Sequence, residues 1–170
     1  MATHRISILG ANTVPDATGE CYQAPIDVEI TTLATFPGSN LVFVLKDPSA
    51  DTGFYGSFMV PENYTGTCKI GVVGVLDGTT GTTSVDFEWS YISLTDNEAV
   101  DAAYTENVTW NTGNTSGWTN EDVVIVEGSP TSANFTAGDI VMFYLKRDSG
   151  TDDFVGDFHV LDLYFEYSDA

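Results

Sequence analysis

Positive charge is scarce in this chain. Lys46, Lys69, Lys146, Arg5 and Arg147 stand against 25 acidic residues and leave a formal net charge of −20. A surface of that sign repels phosphate backbones and anionic lipid heads, so neither nucleic acid nor a membrane surface is an expected partner. Histidine and cysteine are equally sparse, at 2 each. Cys21 and Cys68 lie in no CxxC or Cys/His cluster, which excludes a His/Cys metal centre and predicts reduced thiols in a protein made in a cytoplasm. His4 sits near a terminus and His159 alternates with Leu161, so neither is placed to activate a Ser, Thr or Cys nucleophile. Long nonpolar runs are missing too. Nothing approaches the ~18 residues a membrane-spanning helix needs, and Ile6, Ile8 and Leu9 form too short a cluster for an export signal. No GxGxxG or GxxxxGK pattern occurs to cradle a phosphate, and no cofactor is expected.

What is present has period two. Val85, Phe87, Trp89 and Tyr91 alternate with Ser84, Asp86, Glu88 and Ser90, the pattern of a strand with one buried face. In the last strand His159, Leu161, Leu163, Phe165 and Tyr167 read as the inner row, with Phe158, Val160, Asp162, Tyr164 and Glu166 outside. Segments 41–45, 70–76 and 140–145 are nonpolar on both faces, as in a strand covered on two sides. Further strands are predicted near 5–9, 26–32, 54–60, 105–110 and 121–127. Turn chemistry separates them at Phe36–Asn40, Asp47–Asp51, Asp77-Gly78, Asn111–Asn114 and Asp148–Gly150. Only 95–104 reads as a helical turn, with Thr95 or Asp96 as cap and Glu98 behind it.

Residues 41–60 also align without a gap over 141–160. Phe43, Leu45, Lys46, Ser49, Phe54, Gly56, Phe58 and Val60 recur as Phe143, Leu145, Lys146, Ser149, Phe154, Gly156, Phe158 and Val160, and Gly38 and Gly138 extend the echo upstream. Each copy reads as a β-hairpin: nonpolar strand, Asp-rich turn, and a second strand opened by Phe-x-Gly-x-Phe. The expected fold is an all-β, antiparallel β-sandwich of jelly-roll type, one domain over 1–170, with about nine or ten strands and at most one short helix.

Candidate chemistry is thin. Asp86 with Glu88, and Asp162 with Glu166, are carboxylate pairs of the kind a glycosidase uses, but 25 acids produce such pairs by chance. Asp148, Asp152, Asp153 and Asp157 are the one set that suggests Ca²⁺, without EF-hand spacing. Trp110 and Trp118 bracket a polar loop containing Asn111 and Asn114, and these four are the candidates for an exposed binding surface; Trp89 belongs to an inner row. No catalytic residue is assigned.

Four motifs carry a resemblance. Met1–Gly10, Phe54–Tyr64, Phe135–Asp139 with the strand to Asp148, and Leu161–Tyr167 resemble virion proteins of tailed bacteriophages of aquatic bacteria, whereas 76–130 carries no such motif. The resemblance implies a noncatalytic capsid cement or decoration protein: a small jelly roll, made in the host cytoplasm, that sits as a homotrimer on the outer surface of the phage head and binds the major capsid protein across capsomers. Two alternatives stay open. One is a tail-fibre or receptor-binding module for host-surface glycan; the other is a carbohydrate-binding or carbohydrate-active domain.

Overall fold

A computed structural model describes residues 2–10, 12–25, 41–47, 49–119 and 121–169. Its strands are β1 (Thr3–Ser7), β2 (Val14–Pro15), β3 (Cys21–Pro25), β4 (Leu41–Leu45), β5 (Thr52–Met59), β6 (Cys68–Thr79), β7 (Asp86–Leu94), β8 (Glu106–Asn111), β9 (Val123–Gly128), β10 (Ile140–Arg147) and β11 (Val155–Ser168). The first sheet has the order β3-β4-β11-β6-β9, with β1 also paired to β11; the second has the order β2-β5-β10-β7-β8. Every pairing is antiparallel. The chain is thus an antiparallel β-sandwich of jelly-roll type. The strand expected at 26–32 and the turn at Phe36–Asn40 lie outside the described residues, and β2 and β3 were not foreseen.

The core sits between the sheets. Trp89, Phe54, Phe158, Phe165, Leu45 and Leu76 are fully buried in one continuous cluster. Within it, Tyr91 stacks on Trp89 at 4.4 Å and on Phe135 at 4.9 Å. Aromatic pairs of this kind add about 0.5–1.5 kcal/mol beyond their buried area. A second cluster, Ala24, Val42, Val44 and Val75, lies on the other side of the first sheet and accounts for the strand at 41–45 being nonpolar on both faces. Cys21 and Cys68 are free and buried; burial pushes the Cys21 thiol up to about 12 and raises that of Cys68.

Three expectations need correction. Residues 95–104 contain no helix. Glu98 does reach back to the Thr95 amide at 2.7 Å, half of a capping box, but Asn97 takes a φ of 69° and turns the chain instead. The only helical segments among the described residues are two short 3₁₀ turns, Thr115–Gly117 and Ser132–Asn134. In β11 the inner row changes partway: Phe158 and Val160 face the core, then Leu163, Phe165 and Tyr167 do. The register against β6 shifts between Val160 and Asp162, so a bulge at Leu161 reverses the alternation and puts His159 on the opposite side, across from Val44.

The echoed segments are not hairpins. β4 is in the first sheet and β5 in the second, while β10 is in the second and β11 in the first. Residues 46–51 and 148–154 therefore carry the chain from one sheet to the other. Arg147 pins the second crossing. Its fully buried guanidinium donates from Nε and Nη2 to the two Asp152 carboxylate oxygens at 2.8 and 2.7 Å. It also donates to the carbonyls of Phe154 at 2.7 Å, Gly156 at 2.6 Å and Leu45 at 3.4 Å. All five guanidinium N–H groups are satisfied, the condition under which a charge is tolerated in a core. The matched glycines do sit at close approaches. A Cβ on Gly56 would meet the Phe143 ring at 2.5 Å, and Gly156, with φ +139°, leaves no room beside the Asp77 carbonyl.

Candidate functional site

Alternation along the second sheet fixes its outer face. Because Phe143, Leu145 and Arg147 point inward, Met142, Tyr144 and Lys146 of β10 point out. The register then sets Ser57, Tyr55 and Gly53 of β5 beside them on one flank and Ile92, Ser90 and Glu88 of β7 on the other. Asn107, Thr109 and Asn111 of β8 complete the surface. One half of the face is nonpolar, with Met59, Ile140 and Met142 exposed; the other half is polar.

A tyrosine pair lies at the boundary. Tyr55 and Tyr144 are direct cross-strand partners, their rings stacked at 4.5 Å with a 22° interplanar angle, and Tyr55 is 49% exposed. The Tyr144 hydroxyl donates to Asp16 Oδ2 at 2.7 Å, and the same oxygen accepts from the Gly53 amide at 2.7 Å. Partial burial and the Asp16 carboxylate raise the Tyr144 hydroxyl, so it stays protonated and its ring is fixed in place. Tyr104 is 52% exposed, and partial burial with the charge of Tyr55 and Glu88 raises its hydroxyl.

Beside the tyrosines, Lys146 Nζ lies 2.6 Å from Asp51 Oδ2 and 3.4 Å from Glu88 Oε2. The ammonium holds the Asp51 carboxyl below its usual range, helped by the Ser149 hydroxyl at 2.9 Å and amide at 3.1 Å. Glu88 Oε1 accepts from the Ser90 hydroxyl at 2.9 Å. The arrangement presents one exposed tyrosine, stacked on its cross-strand neighbour, next to carboxylate acceptors and one ammonium donor. It can hold a polyhydroxylated molecule by stacking and hydrogen bonds.

Most of the residues singled out from the sequence fall elsewhere; Asn111, at the β8 edge of this face, is the exception. Trp110 packs against Gly128 and against Phe87, with ring centroids 6.0 Å apart, and Trp118 packs on the same core. Asn111 donates to Asp86 at 3.2 Å and accepts from the Gly113 amide; Asn114 accepts from the Ser116 amide and caps a 3₁₀ turn. Trp110 and Trp118 therefore cover the core and Asn114 holds a loop, while Asn111 borders the outer face beside Asp86. The acidic set is dispersed as well: Asp152 is bound to Arg147, Asp153 accepts from the Ser84 amide, Asp148 from the Gly150 amide and Asp157 from the Asp47 amide. Among the described residues no group of three or more His, Cys, Asp or Glu is placed to hold a metal ion. Tyr55, Tyr144, Asp51 and Lys146 were not foreseen as a site, and only their outward parity hints at them.

No family model and no curated protein matches the chain. Solved structures do. A family 11 carbohydrate-binding module from Clostridium thermocellum, in complex with a β-1,3-1,4-mixed-linked tetrasaccharide, superposes with a TM-score of 0.51 at 8% identity over 96% of this chain and 94% of that one. The CBM22-1 xylan-binding domain of Xyn10C from Paenibacillus barcinonensis gives a TM-score of 0.50 at 11% identity over 99% and 94%. The arabinose-bound GH51 α-L-arabinofuranosidase gives 0.49 at 14% identity; the match covers 92% of this chain but only 23% of the enzyme. What is shared is the fold. The similar structures of matching length are carbohydrate-binding β-sandwiches.

Proposed function

We propose that this chain is a noncatalytic carbohydrate-binding protein that holds a glycan across the outer face of its second sheet. The observation that carries the reading is the exposed Tyr55 ring stacked on the half-buried Tyr144 at the centre of that face, with Asp16, Asp51, Glu88 and Lys146 in reach of a bound chain's hydroxyls. Five strands at about 4.8 Å spacing span roughly 19 Å, enough for an extended oligosaccharide crossing the strands. The contacts of Asp51 favour the noncatalytic part of this reading. A glycosidase needs one carboxyl kept protonated, whereas Lys146 holds Asp51 ionised. Similar folds that bind mixed-linkage β-glucan and xylan make these the first ligands to test.

Calorimetric titration with both polysaccharides tests it. Tyr55→Ala and Tyr144→Ala are each expected to weaken binding about tenfold or more, as loss of a central aromatic contact does, with the far-ultraviolet spectrum unchanged. Binding by neither polysaccharide, or full affinity in the double alanine variant, overturns the reading.

The second reading is the phage capsid cement protein, as a homotrimer on the major capsid protein. It is supported by a separate surface. Val123 and Ile125 at the β9 edge of the first sheet are 62% and 56% exposed on a chain of net charge −20, which suits a nonpolar contact rimmed by a basic partner. Band densitometry of purified particles, giving hundreds rather than tens of copies, would favour it.

A further inference from the structure

The charge on the glycan face sets which glycans it can take. Each of the five cations is already engaged. Arg5 pairs with Glu166 and Glu127, Lys69 with Glu127, and Arg147 with Asp152. Lys46 lies over the Tyr22 ring at 5.4 Å and follows a strand of the first sheet. Only Lys146 belongs to the outer face of the second sheet, and it is held between two carboxylates, Asp51 at 2.6 Å and Glu88 at 3.4 Å. A ligand anion must displace one of them to reach the ammonium. Asp16 next to Tyr144, and Asp86 next to Asn111, add further negative charge along the same surface. At these separations like charges repel appreciably near a protein surface, and salt screens the repulsion over about 8 Å at physiological ionic strength.

Resting on the glycan reading, we infer that this face rejects chains carrying carboxylate or sulfate groups and takes hydroxyl-only chains, with Asp51 and Glu88 setting that specificity. Their carboxylates act both as acceptors for sugar hydroxyls and as the fixed charge that excludes uronates. The competing possibility makes Lys146 an anchor for acidic sugars, and the two differ in sign.

The test titrates the whole protein with mixed-linkage β-glucan and with xylan, each against its carboxymethylated derivative, at low and at high salt. The neutral form is expected to bind at least about tenfold tighter at low salt, and the gap is expected to close as salt rises. In Asp51→Asn/Glu88→Gln the ratio of neutral to anionic affinity should fall severalfold at low salt, whatever happens to the absolute affinities. If that variant misfolds, the salt dependence of the unmodified protein still decides. Equal affinity for both forms, tighter binding of the carboxymethylated form, or a gap indifferent to salt overturns the inference and leaves the glycan reading standing. Binding of neither form overturns both.

Discussion

Removing the Asp152 carboxylate strands a guanidinium in the core. The Arg147 side chain is 0% exposed and that of Asp152 1%. The substitution Asp152→Ala breaks two charge-assisted bonds and takes the carboxylate acceptor, at 2.9 Å, from the Asp86 amide; the Phe154 amide, 3.2 Å from the same carboxylate, keeps the Ser84 carbonyl at 3.2 Å. Breaking a buried pair by removing one partner costs about 3–5 kcal/mol, mostly the burial of the remaining charge. Against a total stability of about 5–15 kcal/mol this is a large fraction. For a chain of this size it lowers the melting temperature by roughly 6–20 °C. Urea titration followed by tryptophan fluorescence reads the change directly, since Trp89 is buried in the core. Arg147→Met should be comparably costly, because it orphans the Leu45, Phe154 and Gly156 carbonyls. The double variant should lose clearly less than the sum of the two. A loss below about 1 kcal/mol for Asp152→Ala, or strict additivity in the cycle, would refute the view that this pair pins the crossing between sheets.

Gly156→Ala should cost about 1–3 kcal/mol, since it places a Cβ 2.4 Å from the Asp77 carbonyl at a φ of +139°; a urea midpoint equal to that of the unmodified protein would count against the close approach. Trp110→Ala should lower the melting temperature yet leave glycan affinity within about twofold, the reverse of Tyr55→Ala, because Trp110 packs on Gly128 and Phe87 rather than on the glycan face; calorimetry and thermal melts of both variants separate the roles. Stability should fall on acidification. Lys69 holds the Glu127 carboxyl low, and at Glu106 burial pushes upward but is outweighed by hydrogen bonds from Tyr91, Thr131 and Asn134. With folded values below the unfolded ones near 4, the unfolded state binds more protons there, so the contribution is full above about pH 5 and is lost as pH falls through the folded values. Glu106→Gln should flatten the slope of urea midpoint against pH below 5, and an unchanged slope would refute the assignment.

Much of the fold is legible because its rows obey a local rule. Val85, Phe87, Trp89 and Tyr91 alternate inward as read, each at most 1% exposed. The rule fails where one residue is inserted. Nothing in Val160-Leu161-Asp162 announces a bulge, and the consequence, reversed facing over the first part of β11, follows from pairing with β6. The site is less legible for a related reason. Tyr55 and Tyr144 are adjacent only through the β5–β10 register, a long-range pairing that no local pattern encodes. Trp110, conspicuous in the sequence, faces inward opposite Phe87, and the glycine at position 128 on another strand leaves the space its ring fills.

The echo between 41–60 and 141–160 shows how a correct sequence signal can carry the wrong geometry. Strand, acidic turn and strand describe a hairpin and a crossing between sheets equally well; what separates them is whether the strands find each other or other partners. Here they find the other copy: β4 pairs with β11, and β5 with β10. The two units thus interlock about an approximate dyad. In the first sheet Leu45 lies opposite Phe158, so an exact dyad would set Leu145 opposite Phe58; the observed partner is Phe54. The displacement is an even number of residues, which preserves the facing of every side chain. An odd displacement would have turned either Tyr55 or Tyr144 into the core, and the stacked pair on the outer face could not form. The proposed glycan face therefore depends on the registry of the two crossings, which is why the Arg147–Asp152 pin at one of them bears on that proposal as well as on stability.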